Sequence, residues 1–310
     1  MSNDHRTRRM RLCTAGAVVA GFLAMVVAGC GGSSAGAAGT TDATTVATTS
    51  AQTVTAPAPS GASPVVWAVG DGSNGGSDAI ALARSIAAAG ADRFLYLGDV
   101  YEHGTADEFN RGYHDVYGAL DPITDPTPGN HDWPNHATGY DPYWSKVRDA
   151  PIQPWYATSI AGWQLISLNS EEPHRAGSPQ IAWLDSQLRT PGDCRIAFWH
   201  RPRFSAGRHG DQKDMAPVWD ALRGHAAIVL NGHDHDMQRF KPRDGITEFV
   251  SGAGGKGLYG VDEGDSRLAF SNDTELGALR LVLSRGRADY RFVTTDGRVL
   301  DAGTLTCRPG

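Results

Sequence analysis

The sequence predicts an α/β fold in which sheets are sandwiched between helices. Short apolar runs alternate with helical patterns from Val65 to Leu230. Beyond Gly245 the pattern turns to strands and tight turns. Several of the apolar runs end in a glycine followed by Asp or His, so polar groups gather at strand ends rather than along them. Alternation followed by a strand-rich end is the pattern of layered sheets covered by helices.

The elements follow in order. Val65-Val66-Trp67-Ala68-Val69 reads as a buried strand. Asp78 to Ala89 reads as a helix, ended by Gly90, whose missing Cβ suits a left-handed cap. Phe94-Leu95-Tyr96-Leu97 is the next strand. Thr105 and Glu108 have capping-box spacing and start a helix at Ala106, with Phe109, Tyr113, Val116 and Tyr117 on its apolar face. Trp155 to Asn169 reads as a hairpin around Ala161-Gly162. Ser178 and Pro179 open a helix with the stripe Ile181, Leu184 and Leu188, closed by Pro191-Gly192. Arg195 to Trp199 and Ala226 to Leu230 are buried strands. Phe249-Val250, Leu279 to Leu283 and Tyr290 to Val293 complete the set, with a turn at Asp296-Gly297.

The first 63 residues read differently. Arg6, Arg8, Arg9 and Arg11 form a basic head before the apolar stretch Leu12 to Val27. That stretch is short for a membrane span and suits a signal-peptide core. It ends in Val27-Ala28-Gly29-Cys30, which resembles a bacterial lipobox. The expectation is a lipoprotein signal over 1–29, a lipid anchor at Cys30 and a location on the outer face of a bacterial cell membrane. The alternative is an ordinary cleavable signal with a chance cysteine. Thr7-Arg8-Arg9 is a partial match to a twin-arginine signal. Residues 30–63 are Thr, Ala, Ser and Gly rich and read as a flexible tether. Residues 64–310 then form one domain.

Charge excludes one class of function. The chain carries −6, and residues 1–29 hold four Arg and one Asp, so the remainder carries −9. A nucleic-acid binder would show a basic stripe instead, and none is expected here. Of four Cys, Cys194 and Cys307 remain in the domain, and an oxidising compartment favours a disulfide between them.

The chemistry is carried by five clusters. They are Gly70-Asp71, Gly98-Asp99, Gly129-Asn130-His131-Asp132, Phe198-Trp199-His200 and Gly232-His233-Asp234-His235. In open α/β sheets, ligands collect beyond the carboxyl ends of strands, so these groups are expected to converge. Each cluster alone has an ordinary reading. A strand-end Asp caps a helix or forms a turn, a lone His lies on a surface, and Asn130 after Gly129 is a turn. The case rests on all five occurring in order. Two Asp, one Asn and three His form a mixed oxygen and nitrogen set suited to zinc, manganese or iron. One carboxylate shared by two ions would hold them about 3.5–4 Å apart.

On these residues the chain resembles the calcineurin-like metallophosphoesterases, and most closely the small purple acid phosphatases. The resemblance spans residues 65 to 255. It implies a four-layer α/β/β/α sandwich of two mixed β-sheets flanked by helices. It implies two divalent or trivalent metal ions, iron with iron, zinc or manganese. Asp71, Asp99 and His235 would hold the first. Asp99, Asn130, His200 and His233 would hold the second, with Asp99 bridging. His131 would position substrate or donate a proton. His209 follows His200 by nine residues, the spacing of the substrate-loop histidine in those phosphatases, and would face the phosphate or the leaving group. The implied reaction is hydrolysis of a phosphomonoester by in-line attack of a metal-bound hydroxide. Arg203 and Arg208 are candidate phosphate clamps.

Two positions depart from the pattern. Ser73 stands where the wider family often has an Asp-x-His ligand. The purple acid phosphatases place a tyrosinate in Gly-Asp-x-x-Tyr, whereas this chain reads Gly98-Asp99-Val100-Tyr101, one residue shorter. Tyr101 is carried as a metal ligand or as a buried aromatic beside the site. Within the family, a phosphodiesterase or nucleotidase is the alternative. From a different class, the alternative is a surface lipoprotein that binds metal or phosphate without turnover. Gly70-Asp71-Gly72-Ser73-Asn74-Gly75 also matches a dinucleotide fingerprint, but that reading leaves His131, His200, His233 and His235 unexplained. Ser251-Gly252-Ala253-Gly254-Gly255-Lys256-Gly257 lacks phosphate-loop spacing and is expected as a turn passing close to the metal-binding edge.

Overall fold

The computed structural model describes residues 63–72, 75–192 and 194–307. The signal segment, Cys30, nearly all of the tether and Ser73 lie outside the described residues.

The strands alternate their side chains between two different cores, and this sets the architecture. In β1 (Val65–Val69), Val66 and Ala68 face one core while Trp67 and Val69 face another. β2 (Arg93–Tyr96) does the same, with Leu95 set against Phe94 and Tyr96. The period-2 alternation of a strand buried on both faces explains the near-continuous apolar runs of the sequence. Between β1 and β2, α1 (Ser77–Ala88) packs Ala79, Leu82, Ala83 and Ile86 onto the Trp67 face.

After β2 the Thr105/Glu108 capping box is formed and starts α2 (Ala106–Glu108). The helix widens through Phe109–Tyr113 and continues as α3 (His114–Tyr117). Phe109, Tyr113, Val116 and Tyr117 are buried, as the apolar face required. β3 (Thr124–Pro126), α4 (Tyr140–Arg148), β4 (Tyr156–Ile160), β5 (Trp163–Ser167), α5 (Pro179–Leu188), β6 (Cys194–Phe198), α6 (Ala216–Leu222) and β7 (Ile228–Asn231) follow. β8 (Met237–Phe240), β9 (Thr247–Ser251), β10 (Leu268–Asn272), β11 (Gly277–Ser284), β12 (Arg287–Thr294) and β13 (Val299–Thr306) complete the described chain.

Two mixed sheets result. One has the order β13-β12-β11-β1-β2-β3, the other β10-β8-β9-β7-β6-β5-β4. β1, β2 and β3 run parallel, as do β5, β6, β7 and β9. The first core lies between the sheets, where Leu95, Leu97, Leu279 and Leu281 meet Ile196, Phe198, Leu230 and Phe249. The second lies under α1, α3 and α4, and the third under α5 and α6. Three cores separate four layers, the α/β/β/α sandwich expected from the resemblance.

Several elements carry no clear sequence signal. β3 is three residues of Thr-Asp-Pro at a sheet edge, where a proline costs no ladder bond. α4 has only Tyr140 and Trp144 fully buried. β13 is another edge strand and buries no residue fully. Cys194 and Cys307 do pair, with Cα atoms 5.9 Å apart, tying the start of β6 to the chain beyond β13. Each of these strands lies in a different sheet. Among the described residues, no helix is long and apolar enough to cross a membrane.

Candidate metal centre

The five clusters meet where the parallel strands of both sheets end. β1 and β2 deliver Asp71 and Asp99, β6 delivers His200, and β7 delivers His233 and His235. Each acidic ligand candidate sits just past its strand in a backbone bend. Asp71 has φ 58°, Asp99 φ 67° and His233 φ 74°, in the left-handed region that non-glycine residues rarely occupy. Such conformations persist only where the surroundings over-determine them, and they cluster at functional sites. The neighbouring glycines are required by space. A Cβ at Gly232 would come within 2.5 Å of Asp71 Oδ2, one at Gly98 within 2.8 Å of His200 Nδ1, and one at Gly129 would overlap Asp99 Oδ1.

Two donor groups form. In one, Asp99, His200 and His233 each offer a ligand atom within 4.8 Å of the others. His200 Nε2 lies 3.2 Å from Asp99 Oδ2, 3.2 Å from Asn130 Oδ1 and 3.2 Å from His233 Nδ1. In the other, the Tyr101 hydroxyl lies 2.8 Å from both Asp71 Oδ1 and His235 Nε2. His233 joins the groups: its ring stands in the first, and its backbone N–H donates to Asp71 Oδ2 at 2.7 Å. The paired histidines therefore do not grip a single point. The left-handed turn at His233 sends the two imidazoles to different groups.

The far side of each ring fixes which nitrogen is available. His200 Nδ1 is 2.8 Å from the Leu97 carbonyl, and His235 Nδ1 is 2.8 Å from the Gly257 carbonyl. A carbonyl only accepts, so each Nδ1 carries the proton and each Nε2 is turned inward. The expected turn at Gly252 to Gly257 does pass this edge. Lys256 donates its backbone N–H to the Asp71 carbonyl at 3.0 Å.

The electrostatics are those of an acidic cluster with cationic demand. Burial pushes the Asp71 carboxyl well up, against the pull of His200, and the Asp99 charge adds to the rise. Burial also opposes ionisation of Asp99, but His200 and the hydrogen bonds from His200 and His131 hold it well below the usual carboxylate range. Burial works against the His200 imidazolium, yet Asp99 and Asp71 raise it to about 10. Burial and the His200 charge push His233 far down. Burial takes His235 down to about 4, against the Gly257 hydrogen bond. Burial and the Asp71 carboxylate push the Tyr101 phenol far up. His200 thus serves as a stand-in for a cation beside Asp99. Once the His200 proton is displaced, inward ring nitrogens, two carboxylates, an amide oxygen and a phenol form a donor set that fits two ions of the zinc, manganese and iron class.

His131 and His209 flank this set. His131 donates its backbone N–H to Asp99 Oδ1 at 2.9 Å, and its Nδ1 is 2.6 Å from the Glu102 carbonyl. Its Nε2 lies 3.9 Å from Asp99 Oδ2. The His209 ring stacks on His233 with centroids 4.1 Å apart. Of the two arginines, Arg208 lies over the ring of Tyr259, which itself stacks on His235. Arg203 instead lays its guanidinium on Phe204. Sequence reasoning assigned no role to Asp132, Asp234, Tyr259 or Lys256. Asp132 and Asp234 were visible only as the remaining carboxylates within the histidine motifs.

Comparison with known proteins identifies the family and the fold. The family model for "Calcineurin-like phosphoesterase" matches residues 65–237. The chain is 27% identical over 272 residues to tartrate-resistant acid phosphatase type 5 of Sus scrofa, covering 72% of this chain and 78% of that one. It is 28% identical over 172 residues to a probable cyclic nucleotide phosphodiesterase of Synechococcus, covering 51% of this chain and 63% of that one. Among solved structures, the purple acid phosphatase PPD1 of yellow lupin superposes with a TM-score of 0.65 at 16% identity, over 81% of this chain and 55% of that one.

Metal loading must displace protons, because an imidazole ligand has to be neutral. With His200 raised to about 10, the metal-free chain carries that proton at neutral pH. Calorimetric titration with Zn²⁺ at pH 7, in buffers of different ionisation heat, is expected to show release of at least one proton per chain. Affinity should fall about tenfold per pH unit for each proton displaced as pH drops below 10. Proton-neutral binding would contradict the assignment.

Proposed function

The chain belongs to the calcineurin-like phosphoesterase family, and on that premise we propose a two-metal phosphomonoesterase of the acid-phosphatase type. The observation that carries the reading is the pair of adjoining donor groups: Asp99, Asn130, His200 and His233 in one, Asp71, Tyr101 and His235 in the other. In this reading Asp99 spans both, and Asp71 is held in place by the His233 backbone N–H.

When bound, two such cations neutralise phosphate oxygens, polarise the ester and make water a nucleophile at or below neutral pH. The chain's own residues supply the rest. His131 is tied through Nδ1 to the Glu102 carbonyl, which leaves Nε2 directed at the Asp99 edge of the site. That placement suits a group that orients the phosphate or passes a proton. His209, on the loop after β6, is the donor for the leaving oxygen. Arg208 stands at the rim, over Tyr259, as a contact for the phosphate or its substituent.

A diesterase reading has one specific support, the similarity to the probable cyclic nucleotide phosphodiesterase. The monoesterase reading is preferred because the acid-phosphatase similarity runs through more of the chain, 72% against 51%. A non-catalytic binder would have no use for two histidines flanking the metal donors.

We also propose that iron occupies the Tyr101 group and that Tyr101 is its phenolate ligand. The shorter Gly98-Asp99-Val100-Tyr101 spacing still brings the hydroxyl to Asp71 and His235. Export with lipid attachment at Cys30 completes the proposal. Its support is the basic head, the apolar core and Val27-Ala28-Gly29-Cys30, together with a disulfide of the kind that oxidising compartments allow.

Four measurements test these readings. The metal-loaded protein should hydrolyse p-nitrophenyl phosphate faster than bis(p-nitrophenyl) phosphate. His131→Ala should keep its metal and lose about 100-fold in turnover, while Asp99→Asn should lose metal. Absence of hydrolysis of either ester with iron, zinc and manganese all tried would sink the enzyme reading. Tyr101→Phe should abolish a visible charge-transfer band and reduce iron content; an unchanged spectrum removes Tyr101 from the ligand set. Cys30→Ser should shift the protein from the membrane fraction to the soluble fraction, and continued membrane association would refute the anchor.

A further inference from the structure

Asp234 stands between the two histidines of Gly232-His233-Asp234-His235, yet its carboxylate turns away from both donor groups. It is fully buried and holds the substrate loop instead. Its Oδ1 accepts the backbone N–H of His209 at 2.8 Å and lies 2.9 Å from His209 Nδ1. Its Oδ2 accepts from Ser205 Oγ at 2.5 Å. Gly207 lies so close that a Cβ would come within 2.6 Å of Asp234 Cγ. The loop from Ser205 to His209 is therefore wrapped around one carboxylate.

Proton accounting fixes the His209 tautomer. Ser205 Oγ accepts from Gly207 N at 2.9 Å and from Gln238 Nε2 at 3.0 Å. Its single proton is thereby left for Asp234 Oδ2. Both Asp234 oxygens receive donors, from Ser205 Oγ and from the His209 backbone N–H, and an aspartate carboxylate only accepts. His209 Nδ1 must then be the donor in its contact with Oδ1. His209 Nε2 has no protein partner among the described residues, and about a third of the side chain is exposed.

We propose that Asp234 is a positioning residue for His209: it keeps one proton on Nδ1 and holds the ring against His233, so that the imidazolium passes its Nε2 proton to the leaving oxygen and is left as the Nδ1–H tautomer. The same arrangement ties the substrate loop to the strand end that carries the metal ligands. A histidine oriented by a buried carboxylate is a recurring solution wherever one ring nitrogen must act on substrate. This inference rests on the reading that His209 acts on the leaving group.

The test is a double-mutant cycle on the metal-loaded full chain, with glycerol 2-phosphate, whose alkoxide leaving group demands a proton. His209→Ala should lower kcat about 100-fold. Asp234→Asn should lower it about 10-fold with metal content unchanged. The double variant should match His209→Ala alone. If Asp234→Asn costs the same in the His209→Ala background as in the native one, Asp234 does not act through His209 and the proposal fails. If His209→Ala has no effect, the leaving-group reading itself fails, and the proposal with it. Should Asp234→Asn not fold, ¹⁵N NMR of the zinc-loaded native protein decides, at a pH where the ring is neutral. The proposal requires the His209 proton on Nδ1, and a proton on Nε2 overturns it.

Discussion

Asp132 offers no ligand atom, yet the site depends on it. Its buried carboxylate accepts three backbone N–H groups: Asp99 at 2.8 Å, Val100 at 2.8 Å and Gly129 at 2.8 Å. These bonds tie the end of β2 to the loop that carries Asn130 and His131. They also hold Asp99 in its left-handed conformation, which otherwise costs of order 1–3 kcal/mol. Without that clamp, the Asp99 carboxylate and the Asn130 amide would have no common frame, and no shared carboxylate could serve two ions.

Asp234 repeats the device on the other sheet. There a buried carboxylate clamps a loop against the end of β7, and its bond to His209 orients a side chain as well as backbone. The two clamps divide the work. One fixes the groups proposed to hold metal, and the other fixes the histidine proposed to act on substrate. Both carboxylates lie in motifs whose histidines attract attention first. Glycine is required at both places, Gly129 beside the clamped Asp99 and Gly207 beside Asp234 itself. Close packing around charged groups, rather than flexibility, accounts for the glycine content of these turns.

The buried framework was legible in the sequence because a strand covered on both faces cannot avoid being apolar. β1, β2, β6 and β7 announced themselves in this way, and α2 did so through the Thr105 and Glu108 cap. Edge elements left weaker traces. β3 and β13 need fewer apolar residues, and α4 is anchored mainly by Tyr140 and Trp144. The metal donors were legible for a similar reason, since Asp, Asn and His at the ends of buried strands have no packing role. How the donors divide was implied by the resemblance and not by residue types or periodicity. That division depends on a positive φ at His233, which splits two neighbouring imidazoles, and on a loop path that brings Tyr101 to Asp71 despite its shorter spacing. Neither is a property of composition or periodicity.

In the proposed centre, two adjoining donor groups hold two cations with Asp99 between them. Anomalous diffraction from crystals of the metal-loaded protein, collected at the iron and zinc absorption edges, tests it most directly. Two anomalous peaks are expected, one among Asp99, Asn130, His200 and His233 and one among Asp71, Asp99, Tyr101 and His235, with an Asp99 carboxylate oxygen in reach of both. A single peak, or two peaks without Asp99 in common, would contradict it.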